Sequence, residues 1–359
     1  MMRSVQRSLL LASALLLGGC FTEQPDGEYA LDVSPFANAH VSRDQATLQL
    51  VTLEGYECPD GEKPRVYFVE PVGAASPRPL GVVLHGGNFD YVDYGGREAH
   101  YAPENRLTAS WGNHEAEVVL GLIVPGAGPD VGGAWTAAFL QAGFSVVVPA
   151  NCWGDLWHGT GDGDWSGEGF LRQGAYFMDD AIGWAQARED IDANSTVVVG
   201  LGEGGRGVVE LARGVSGSSI VPPAAVAVDS SPDWLAGLIA APATNAAQID
   251  GLERIYEAEL TDDGDPQTRE NELRDALERD SLVTLVAVEG WRTPIFYAFS
   301  SFDERVDPAA SQPAHEAIST HYEGSDHIVV DWAVAGHAPS NRDLAEATTR
   351  LDWLRTHLP

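Results

Sequence analysis

The stretch Ser195-Thr196-Val197-Val198-Val199-Gly200-Leu201-Gly202-Glu203-Gly204-Gly205-Arg206 decides the fold. Thr196–Val199 is a β-branched run of the kind that fills a buried strand. The run stops at glycines, and Arg206–Val215 follows with Val208, Val209 and Leu211 spaced for a helix packed on a sheet. Between strand and helix, Gly200 and Gly204 frame Gly202, and glycine accepts the left-handed backbone of a sharp turn without a Cβ penalty.

Outward from this turn, strands and helices alternate. Ala46–Leu53 and Arg65–Pro71 flank a polar turn and predict an antiparallel hairpin at a sheet edge. Leu80–Leu84 predicts an all-apolar strand that ends in His85-Gly86-Gly87-Asn88. Ala134–Gly143 predicts a short helix, Ser145–Ala150 a strand, and Phe170–Arg188 a helix leading into the glycine turn. Beyond it come a strand at Ala224–Val228, a strand candidate at Leu282–Val288, and a strand at Thr293–Phe299. A helix over Pro308–His321, a strand over Ile328–Ala335 and a terminal helix over Asn341–His357 complete the order. Alternation of this kind predicts an α/β fold with a mostly parallel sheet and helices on both faces. Two stretches are too long for plain connections, residues 89–133 and 233–290, and both read as cap-like insertions, the second with a charged helix over Leu252–Arg279.

Charge limits the partners. The 359 residues carry 53 acidic against 21 basic side chains, a formal net charge of −32, and Lys63 is the only lysine. So acidic a surface repels nucleic acid and anionic headgroups, which excludes nucleic acid as a partner.

The N-terminus reads as an export signal. Arg3 and Arg7 precede the apolar run Leu9–Leu17, which is too short to span a bilayer. Leu17-Gly18-Gly19-Cys20 resembles the bacterial lipobox, which implies cleavage after residue 19, diacylation of Cys20 and a lipid-anchored protein of the cell envelope on the extracytoplasmic side. Residues 20–45 read as a flexible tether to the membrane, and 46–359 as the folded domain. The other cysteines, Cys58 and Cys152, form an even pair in an oxidising compartment, where a disulfide and two free thiols are both open.

In open α/β sheets, sites gather at the carboxyl ends of strands. Four such ends carry chemistry-bearing residues: His85-Gly86-Gly87-Asn88, the Gly202 turn, Asp303 after Thr293–Phe299, and His337 after the last strand. Strand, glycine turn and helix match the context of the nucleophile elbow G-x-S-x-G, and the order elbow, acid, histidine matches its catalytic partners. On these residues the chain resembles the α/β-hydrolases, nearest to the dienelactone-hydrolase and prolyl-oligopeptidase-like branches. Gly200-Leu201-Gly202-Glu203-Gly204-Gly205 follows their G-x-S-x-G-G string except at the serine.

The resemblance implies that Asp303 orients His337 as a base. It also implies that the Glu203 N–H, with Gly87 or Asn88, forms an oxyanion hole. Gly202 then occupies a vacant nucleophile position, so covalent serine chemistry cannot occur there and the scaffold reads as a pseudoenzyme with an unknown small molecule or peptide in its cleft. No cofactor and no metal site is expected. Asp162-Gly163-Asp164-Trp165-Ser166-Gly167 starts like a calcium loop, but its twelfth position is Gln173 rather than glutamate. Alternatives stay open: Asp307 as the acid, Ser230 or Ser231 as a relocated nucleophile, Glu203 as a catalytic carboxylate, and a hydrolase working by water that His337 and Asp303 activate. A lipoprotein that docks partners through its insertions is a further one.

Overall fold

A computed structural model describes residues 27–30, 46–53, 65–84, 133–150, 174–202, 204–213, 220–231, 233, 260, 266–279, 281–284, 286, 292–303, 308–322, 327–331, 340 and 344–359. Their framework is a nine-stranded sheet in the order β1-β2-β3-β5-β4-β6-β7-β8-β9. The strands are β1 (Gly27–Ala30), β2 (Ala46–Thr52), β3 (Arg65–Pro71), β4 (Arg78–Leu84), β5 (Ser145–Ala150), β6 (Ile191–Leu201), β7 (Ala225–Asp229), β8 (Ile295–Phe299) and β9 (His327–Asp331). The first three pair antiparallel with one another, β3 pairs antiparallel with β5, and from β5 to β9 every pairing is parallel.

Helices cover both faces, because the central strands are apolar on both. One face buries Val83, Val197, Val199, Leu201 and Ala227 against α1 (Gly133–Gln141) and α7 (Leu344–Arg355). On the other, Val82, Val198, Val226 and Val228 meet α2 (Gly174–Gln186), α3 (Gly204–Arg213) and α6 (Pro308–His321). Trp135, Phe139 and Phe144 stack in sequence on the first face, with ring centroids 5.8 and 5.3 Å apart. Each such buried aromatic contributes about 1.5–3 kcal/mol from its burial alone.

Two differences from the sequence expectations have physical causes. Gly27–Ala30 lies within the stretch expected as a tether, yet it pairs with Thr47–Leu50 as an outer strand. Four residues are too few for an apolar period to show, and it is backbone bonding to an open edge that orders them. The strand expected over Leu282–Val288 is instead a helical turn, α5 (Leu282–Thr284), with Leu282 and Val286 buried in the core beside α6. A short apolar run reads equally as strand or buried helix, and the spacing of four between those two residues is helical. Within the second insertion, α4 (Pro266–Arg279) buries only Leu273, Ala276 and Leu277. Asp233, near the start of that insertion, accepts from the Ser281 hydroxyl at 2.6 Å and so joins its two ends.

Order across the sheet reverses at β4: the chain moves outward to β5, then returns past β4 to β6. Such a switch point opens a crevice at the carboxyl edge of an α/β sheet. Both β4 and β6 end there, at Leu84 and Leu201.

Candidate functional site

The glycine turn follows directly from β6. Gly202 has φ +55°, and it is buried. Its N–H donates to Asp229 O at 2.8 Å, and its carbonyl accepts from Gly205 N–H at 3.1 Å, which starts α3. Alternation along β6 turns Gly200 toward α3, where an added Cβ would stand 2.5 Å from both Gly204 O and Val208 Cγ2. A Cβ on Gly205 would meet Ser231 Cβ at 2.4 Å. The flanking glycines therefore let strand, helix and the end of β7 approach closely, while Gly202 supplies the left-handed residue of the turn.

At the end of β7, one strand over, the chain turns left-handed again. Ser230 has φ +57°, the positive value that a non-glycine residue rarely adopts. Its N–H donates to Ala298 O at 2.8 Å, as Gly202 donates to Asp229 O, so each strand end is pinned to its neighbour. Ser230 is fully buried, and its hydroxyl lies 3.4 Å from Asp229 Oδ1. Ser231 is buried too, its carbonyl accepting from the Ser311 hydroxyl at 3.0 Å and the Tyr297 hydroxyl at 3.2 Å. Burial pushes the Tyr297 phenol far above its ordinary range, so it stays a neutral donor.

Asp229 is the centre of a buried polar cluster. Its Oδ2 accepts from Arg350 Nη1 at 2.9 Å, from Ser340 N–H at 3.1 Å and from the Ser340 hydroxyl. Trp135 Nε1–H donates to that same hydroxyl at 2.9 Å. Asp229 and Arg350 are each 1% exposed, and the guanidinium also lies 5.2 Å from the Phe296 ring centroid. No sequence motif marks this cluster, although one signal is available. Arg350 falls on the buried stripe Ala347, Leu351, Leu354 of α7, where a charge requires a partner.

Asp303 stands four residues beyond the end of β8, in a turn closed by its own N–H on Ser300 O at 3.1 Å. It is half-buried, next to Phe302, whose side chain is exposed. Gly202 and Asp303 thus share the carboxyl edge, on strands separated by β7. His337, Glu203, Gly87, Asn88, Asp307, the Asp162 loop, Cys20, Cys58 and Cys152 lie outside the described residues. Among the described residues no group of three metal-ligating side chains gathers, and no helix is long and apolar enough to cross a membrane.

Comparison with solved structures settles the architecture. Oligopeptidase B from Leishmania major superposes with a TM-score of 0.53 at 9% identity, over 88% of this chain and 37% of that one. A prolyl endopeptidase does so at 0.51 and 14%, over 89% of this chain and 39% of that one. An acetyl xylan esterase from Paenibacillus sp. R4 matches at 0.50 and 14%, over 99% of this chain and 96% of the esterase. The fold is that of the α/β-hydrolases. No family model matches the chain, and no curated protein sequence does. The chain spans about two fifths of the peptidases' length, and identities this low carry the α/β-hydrolase fold alone.

Proposed function

We propose that this α/β-hydrolase-fold protein has lost serine-hydrolase chemistry and retains the crevice at its carboxyl edge for binding. In this reading Gly202 stands where the nucleophilic serine would be. The observation that carries it is the left-handed backbone of Gly202 between β6 and α3, the conformation in which an elbow presents its side chain. Here there is no side chain to present. Around it, Asp303 and His337 form the acid–base pair, and the Glu203 N–H with Gly87 or Asn88 forms the anion-holding donors. Such a site can hold a carbonyl or carboxylate group of a small molecule or peptide, but it cannot form an acyl-enzyme.

Fluorophosphonate probes test this, because they label only activated serines. The native protein is expected to stay unlabelled. The proposed location follows from Cys20: diacylation there anchors the domain to the outer side of a membrane. A palmitate analogue should label the wild type and not Cys20→Ser, whereas an unlabelled, soluble wild type would remove the anchor.

A second reading has one observation in its favour. The left-handed Ser230 sits on the neighbouring strand end, and strained backbone at a serine is a feature of functional sites. Against it, Ser230 is fully buried with its hydroxyl toward Asp229. Labelling of the native protein at Ser230 would replace the first reading with this one.

A further inference from the structure

We propose that the protein stands on its membrane with the carboxyl edge of the sheet toward the bilayer, so that the crevice opens onto the lipid surface. The inference rests on the reading of Cys20 as the lipid-bearing residue.

The direction of β1 carries it. Thr52 pairs with Arg65, and Arg65 pairs with Ala150, the last residue of β5, so this end of β2 lies at the carboxyl edge. Ala46, at the other end of β2, pairs with Pro71 at the amino edge. In β1, Gly27 pairs with Leu50 and Ala30 with Thr47. Gly27 therefore stands toward the carboxyl edge and Ala30 toward the amino edge. The chain joins the sheet from the crevice side.

Length then limits how far Gly27 can stand from the anchor. Cys20 and Gly27 are 27 − 20 = 7 residues apart. By whatever path they run, seven residues cannot span more than about 25 Å. A domain of about 310 residues has a radius of gyration of about 20 Å. The link is thus little longer than that radius, and acyl chains in the bilayer keep the carboxyl-edge end of β1 beside the headgroups. The strand β4, which borders the crevice, lies four strands from β1, about 19 Å across the sheet. Adhesion plays no part. A formal charge of −32 repels an anionic surface, but only within a Debye length of about 8 Å, well inside the reach of the link. The edge faces the bilayer without being pressed against it.

Two exposed positions report the orientation. Phe302 is 65% exposed and follows β8 at the carboxyl edge. Pro359 is also exposed and follows α7, whose Trp353 meets Phe296 near the start of β8 with ring centroids 5.7 Å apart. Together they bracket one strand, with Phe302 on the crevice side and Pro359 on the other.

The lipidated full chain, reconstituted in phosphatidylcholine vesicles that carry an acceptor dye on some headgroups, is the material for the test. A donor dye is coupled to an azide-bearing residue introduced at Phe302 or at Pro359. Energy transfer from Phe302 should exceed that from Pro359 by about twofold or more, because the sheet between them is about 20 Å deep. A Gly-Ser linker of about twenty residues inserted before Gly27 should bring the ratio near one. Equal or reversed transfer in the vesicle-bound chain without the linker would overturn the orientation and leave the anchor in place. A ratio that survives the linker would overturn the short link as its cause. A wild type that stays free of vesicles, as Cys20→Ser should, would remove anchor and orientation together.

Discussion

Two clusters of charge sit at opposite edges of the same sheet and behave differently. At the carboxyl edge, Asp229 and Arg350 form a single pair sealed from water, each 1% exposed. At the amino edge, Glu70, Asp190, Arg78 and Arg188 form an open network. Arg78 bridges both carboxylates and also donates to Ser145 Oγ at 2.9 Å, while Arg188 reaches Glu70 at 3.3 Å and Asp190 at 3.2 Å. Arg188 also lies over the Phe68 ring at 4.5 Å and near Trp184 at 5.6 Å. Every member of the open network is partly exposed, so water reaches what a lost partner leaves, and the sealed pair has no such access. The difference separates a clamp that shares its load from a single fixing point.

The largest consequence falls on the sealed pair. Asp229→Ala leaves Arg350 charged and buried without its carboxylate, and should cost about 3–5 kcal/mol, read as a lower urea midpoint. Next comes Gly202→Ser, which adds a Cβ at φ +55° and should cost about 1–3 kcal/mol in the same measurement. Arg188→Ala, by contrast, removes a quarter-exposed member of a redundant network and should cost about 1 kcal/mol or less. If Arg188→Ala proved as damaging as Asp229→Ala, the contrast between the two edges would be wrong.

The smallest effect is one of pH. Burial raises the Glu70 pKa, assisted by its hydrogen bond with Asp190, against the lowering pull of Arg188 and Arg78. Burial also pushes Asp190 upward, but hydrogen bonds from Arg188 and Glu70 and the nearby arginines hold it below the ordinary range. A raised folded-state value means that the native state keeps the Glu70 proton longer than the unfolded chain does. Stability from this group is therefore lost as pH rises through the folded value, while that from Asp190 is lost as pH falls through its own. Glu70→Gln, which imitates the protonated form, should gain on the wild type in urea midpoint as pH rises from about 4, the unfolded value, through the raised folded value. A variant that instead loses ground over that range would show that the arginines outweigh burial at Glu70.

The alternation of elements was legible because the strands are β-branched and bounded by glycine or polar turns. Pro308–His321 spans the same residues in sequence and structure, and Ser145–Ala150 does too. Gly200 and Gly204 were legible as a turn frame because close packing at a strand–helix junction excludes side chains. Asp229 was not. An aspartate before Ser-Ser-Pro reads as the start of a turn, and only the fold brings Arg350 from a position 121 residues away. The left-handed Ser230 was likewise hidden, since serine carries no local preference for positive φ. Leu282 and Val286 misled because four-residue spacing inside a short apolar run is seen as helical only once the core they fill is known.

The central claim is that the elbow is intact and lacks only its nucleophile. Labelling Gly202→Ser with a fluorophosphonate probe tests this most directly, with the native protein and Gly202→Ser/His337→Gln beside it. The expected result is an unlabelled native protein, a labelled Gly202→Ser and loss of that label when His337 is removed, because the new hydroxyl needs a base and an oxyanion site. Labelling of the native protein, or a folded Gly202→Ser that stays inert, would contradict it.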